Sequence, residues 1–94
     1  MVLKARLRNY EQAYTSYAET VANKQSSANE RATRYADLQS AIHDLLSYLP
    51  IALPSVVNTW IFHRLVDIDP SPEQKRDRQE ILILIRRLAA RDEE

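Results

Sequence analysis

The chain has 94 residues, with 13 basic and 13 acidic side chains, no glycine, no cysteine and four prolines. Zero net charge excludes a global field that steers the protein toward nucleic acid or membrane, and the absence of cysteine excludes disulfides, thiolate nucleophiles and Cys-based zinc sites. Without glycine, the φ > 0 positions that tight hairpin turns require are scarce, so the sequence predicts an all-α protein rather than a sheet. The charge balance is also local: residues 1–49 carry six basic and five acidic side chains, and residues 70–94 carry six of each.

The chain reads as one helical domain over 1–94. The segment 2–49 carries its clearest pattern. Leu3, Leu7, Tyr10, Tyr14, Tyr17 and Val21 are spaced 4, 3, 4, 3, 4, and Tyr35, Leu38, Ile42, Leu45 and Leu49 continue in the same seven-residue register. Apolar residues at a 3.5-residue repeat make a coiled-coil-like seam along one helix face. The seam fails at Lys24, Ala28 and Arg31, within the polar run Asn23 to Glu30. Two structures fit: a helical hairpin turning there, or one continuous helix of about 47 residues, ~70 Å long at 1.5 Å per residue. Unbroken register favours continuity. The capping box Ser27-Ala28-Asn29-Glu30 favours the hairpin, as do the short connections usual between packed helices.

Pro50 and Pro54 end this unit. A helix over 55–67 follows, with Val56, Val57, Trp60, Ile61, Phe62, Leu65 and Val66 surrounding it almost completely; a helix apolar all round belongs in a core or an interface. Trp60, the only tryptophan, is the expected core anchor. Ser71-Pro72-Glu73-Gln74 combines an N-cap, a proline at the first helical position and a capping box, and starts a helix over 72–91. That helix is charged in its first half and carries Ile81-Leu82-Ile83-Leu84-Ile85 and Leu88 in its second. Asp92, Glu93 and Glu94 oppose its dipole and are expected to fray.

Residues 45–62 form an uncharged stretch of 18, but its two prolines and its polar residues argue against a membrane span. No apolar signal-peptide core follows Lys4, Arg6 and Arg8, and an intracellular, cytoplasmic location is the expectation. His63 and Asp67, four residues apart, share a helix face, yet no third ligand or nucleophile stands at useful spacing; they read as an ordinary surface pair, and no cofactor or metal is implied.

The sequence therefore points to a non-enzymatic interaction module, an adaptor, inhibitor or assembly subunit, that acts through helical self-association as a homodimer or docks on a larger protein. Leu7, Tyr10, Tyr14, Tyr17 and Trp60 are its candidate contact residues, with Ile81, Ile85 and Leu88 as a second surface. The competing reading is a helical dimer that grips duplex RNA through Lys24, Arg31 and Arg34. Leu53-Pro54-Ser55-Val56-Val57, following a long helical pair, resembles the start of the third helix of nodavirus B2 proteins, helical dimers that bind double-stranded RNA and suppress silencing. The resemblance covers five of 94 residues, and the chain departs from that family where its second helix carries Asp37 and Asp44 and few basic residues. The RNA reading predicts binding that falls steeply with salt and is lost in Lys24→Glu, Arg31→Glu or Arg34→Glu, measurable by a filter or mobility assay across a salt series.

Overall fold

A computed structural model describes residues 2–92. Four helices follow in order: α1 (Val2–Ala22), α2 (Ala28–Ser47), α3 (Ser55–Val66) and α4 (Pro72–Asp92), with no strand among the described residues. Each helix packs on two others: α1 on α2 and α4, α2 on α1 and α3, α3 on α2 and α4. The result is a closed ring of helices with extents of 44 × 28 × 20 Å.

The helical hairpin is the form adopted, and the continuous 47-residue helix is not. The reason lies in how residues 23–27 satisfy their polar groups without glycine. The Asn23 side chain accepts the Gln25 N–H at 3.0 Å, and the Ser26 N–H donates to the Asn23 carbonyl at 3.0 Å. Ser26 Oγ lies 2.7 Å from the Thr20 carbonyl and 2.8 Å from that of Asn23, closing the end of α1. Ser27 then caps α2 by accepting the Glu30 N–H at 3.0 Å. Arg31 reaches back to donate to the Ser26 carbonyl at 2.7 Å. No described residue has a positive φ. Asn and Ser side chains thus do the work for which a hairpin usually recruits glycine. The shared register on either side of the turn places the two apolar stripes face to face within one chain.

The turn into α4 is as specific. Gln74 N–H donates to Ser71 Oγ at 3.3 Å and Gln74 Oε1 accepts the Ser71 N–H at 3.0 Å, a reciprocal capping box. The five-residue apolar run in α4 is sorted by the helical period: Ile81, Leu82 and Ile85 are buried with Ala89, while Ile83 and Leu84 face outward.

The core consists of Leu3, Leu7 and Tyr10 from α1, Leu38, Ile42 and Leu45 from α2, Leu65 from α3, and the inward residues of α4. The seam is closed at the base and opens toward the hairpin tip, where Val21 and Tyr35 are exposed. The expectation that Trp60 anchors the core is overturned, since 42 % of it remains accessible. Leu65 is the only fully buried residue of α3. Its position fixes the inward side of the helix, and a step of 100° per residue then turns Trp60 and Val56 outward. In urea unfolding, Leu65→Ala is expected to cost roughly 2–5 kcal/mol, whereas Val56→Ala should stay within about 0.5 kcal/mol.

Candidate functional site

The seam tyrosines carry hydroxyls that a leucine seam lacks, and each hydroxyl needs a partner once buried. The partners come from the end of α3. The last carbonyls of a helix have no acceptor role within it. Tyr10, fully buried, donates from Oη to the Leu65 carbonyl at 2.7 Å. Tyr14 donates to the carbonyl of Asp67 at 3.1 Å. Two adjacent turns of α1 thus cap the C-terminus of α3 with side chains.

Arg78 of α4 completes this junction. Its Nε and Nη2 donate to Tyr10 Oη at 3.2 and 2.9 Å. Its guanidinium lies 4.0 Å from the centre of the Tyr14 ring and 5.7 Å from that of Tyr10. The planar cation thus lies over the Tyr14 ring while its N–H groups are spent on the Tyr10 phenol, an arrangement a lysine does not reproduce. Burial pushes the Tyr10 hydroxyl up to about 12 from its ordinary 10.0, against the opposing pull of the Arg78 charge. Arg64 on α3 adds a second tie to α4, with Nε 3.3 Å from Asp77 Oδ2 and its guanidinium 5.6 Å from the Trp60 ring centre.

A cleft of about 510 Å³ opens beside this junction, lined by Tyr17, Tyr35, His63, Arg64, Val66, Asp67, Ile68 and Gln74. The fold brings together the His63/Asp67 pair and the Tyr17/Tyr35 pair, whose ring centres are 5.3 Å apart. Most polar groups there already serve local structure. Asp67 Oδ1 accepts the Asp69 N–H at 2.9 Å, Gln74 caps Ser71 and Arg64 holds Asp77. No group of three or more metal-binding side chains occurs among the described residues. The cleft is a by-product of α3 ending before the hairpin does.

The outward surface of α3 and α4 is different in kind. Val56 is 79 % exposed, Leu84 58 %, Ile83 45 % and Trp60 42 %. Arg64 meets Asp77 where α3 packs on α4, so these four exposed apolar residues stand on two helices that pack on each other.

The residues singled out by sequence fall into distinct places. Leu7, Tyr10, Ile81 and Ile85 are buried in the chain's own core, Tyr14, Tyr17 and Leu88 are half-buried against it, and Trp60 is exposed. Of the basic trio, Arg31 holds the Ser26 turn, Arg34 pairs with Asp37 at 3.6 Å, and Lys24 sits exposed in the turn. Sequence reasoning missed Arg78, Ile83 and Leu84. The signal for Arg78 was indirect, namely seam tyrosines that needed donors. That for Ile83 and Leu84 was the run of five apolar residues, which no single helix face accommodates.

No described helix is long and apolar enough to cross a membrane. No family model, curated protein or solved structure matches the chain.

Tyr10→Phe leaves the Leu65 carbonyl and the Arg78 guanidinium without their shared partner, and is expected to cost about 1.5–3 kcal/mol in denaturant unfolding. The raised Tyr10 pKa also sets a pH window. Below the unfolded value of 10.0 its contribution is fully present, and it is lost as pH rises toward about 12, because the folded state holds the proton that the unfolded chain releases. Stability of the native chain should therefore fall more steeply between those two values than that of Tyr10→Phe.

Proposed function

We propose that this chain is a non-enzymatic interaction module that works by helical self-association, in the role of an adaptor, an inhibitor or an assembly subunit. The observation that carries the reading is the exposure of Val56, Trp60, Leu84 and Ile83, four large apolar side chains turned to solvent on two helices that pack on each other. Single exposed apolar residues are ordinary; four on two neighbouring helices, one of them a tryptophan, have the composition of an interface. The Arg64 guanidinium beside Trp60 adds a second residue type enriched in such interfaces.

Size supports the same reading. A monomeric protein of 10.9 kDa has an accessible surface of roughly 5,600 Å² by the usual scaling. This chain has 6463 Å². It therefore exposes more surface than a compact monomer of its mass. The chain's own core uses up the coiled-coil seam, so the contact role passes from the tyrosine stripe to the outer side of α3 and α4.

Light scattering over a concentration series tests this. The native chain should exceed 10.9 kDa, and Trp60→Ser with Leu84→Ser should return it to the monomer mass with its helical circular dichroism intact. A native chain that stays monomeric at every concentration contradicts self-association. A mass shift that appears only with an RNA duplex, and reverses in high salt, would move the reading to nucleic-acid binding.

A further inference from the structure

We infer that two copies of the chain pair through α4 in antiparallel fashion about a twofold axis lying between Ile83 and Leu84. The inference rests on the self-association proposed above and supplies its geometry. In a twofold interface, every residue faces the one equally far from the axis on the other copy, so one patch must be complementary to itself. Few helices meet that condition.

The exposed side of α4 does so around one point. The residues turned away from the core follow helical spacing as Arg76, Glu80, Ile83, Leu84, Arg87 and Arg91. Placing the axis between Ile83 and Leu84 gathers Ile83 and Leu84 with the same two residues of the partner at the centre and sets Glu80, near the middle of the face, against the partner's Arg87. Symmetry repeats the charged contact, giving a central apolar cluster flanked by two oppositely charged pairs. Shifting the axis by one turn in either direction loses this match, bringing Glu80 near the partner's Glu80 or Arg87 near the partner's Arg87.

The ion pairing within the chain leaves Glu80 and Arg87 available for this contact, as it also leaves Arg76 and Arg91. Arg64, Arg34, Arg6 and Arg86 are each paired with a carboxylate, and Arg78 is bound to Tyr10. Among the described residues, Glu80 and Arg87 form no ion pair or hydrogen bond with another side chain. They stand on either side of the two apolar residues that the fold turns outward. Trp60 and Val56 are also exposed on α3, which packs on α4, and in this pairing an approaching copy covers them. The outermost match, Arg76 with the partner's Arg91, is like-charged. It falls at the exposed ends of the seam, where solvent and salt screen it.

Charge reversal in a symmetric pair gives a direct test. Glu80→Arg sets arginine against the partner's Arg87, and Arg87→Glu sets glutamate against the partner's Glu80; each should weaken dimerisation about tenfold or more in sedimentation equilibrium. The double variant Glu80→Arg/Arg87→Glu restores opposite charges at both contacts and should return the dissociation constant close to that of the native chain. Both positions are exposed, so circular dichroism should show an unchanged fold in all three. A chain that dimerises but is indifferent to the single reversals, or that the double variant fails to rescue, overturns this pairing while leaving self-association in place. A native chain that never exceeds the monomer mass overturns both.

Discussion

The phenol of Tyr10 is the point at which three of the four helices meet. It gives its proton to the last turn of α3 and takes two N–H bonds from Arg78 on α4. Because the hydroxyl is buried, both partners must hold their positions, or a polar group is left without a partner in a low-dielectric interior. The rotation of α3 about its own axis follows from this requirement. With the Leu65 carbonyl held at Tyr10 and the Leu65 side chain in the core, Arg64 meets Asp77 and Trp60 faces outward. A leucine at position 10 would bury as much apolar area but would not select one orientation of α3.

The same constraint decides what remains on the surface. α3 has 12 residues, while α1, α2 and α4 have 20 or 21. It covers the base of the hairpin, and the N-terminal half of α2, which packs on α1 and is polar apart from Tyr35 and its alanines, stays exposed. On its other side α3 carries more apolar residues than one buried stripe can use. The surplus emerges as the exposed Val56 and Trp60. The exposure of Val56 and Trp60 is thus a consequence of fixing α3 by its C-terminal carbonyls, and the pairing proposed above would cover them together with Ile83 and Leu84.

Much of the fold was legible because it is written in local chemistry. Ser27, Pro50, Pro54 and the Ser71–Gln74 box mark helix ends through groups within four residues of one another, and the structure places the ends there. The heptad pattern correctly paired α1 with α2, although it served an intrachain hairpin equally well as a continuous helix. The side-chain placements that matter for the surface were harder to read. Tyr10 and Leu65 are 55 positions apart, and Tyr10 and Arg78 are 68 apart. An α3 that is apolar on every side contains no statement of which side is inward, so Trp60 looked like the natural core residue. The α4 run was equally silent on which side is inward: Ile81 and Ile85, expected with Leu88 as a contact surface, lie in the core, and Ile83 and Leu84 are the exposed ones. Periodicity reports that a face exists; long-range hydrogen bonds to Tyr10 decided which face was used.

Trp60 is the only tryptophan in the chain, and its fluorescence reports directly on whether the outer side of α3 and α4 is covered by a second copy. The decisive measurement is its acrylamide quenching and emission maximum across a dilution series followed in parallel by mass. Self-association through this surface predicts that concentrating the protein lowers quenching and shifts emission to the blue in step with the rise in mass. Quenching that stays constant while the mass doubles would place the contact elsewhere on the molecule and contradict the account.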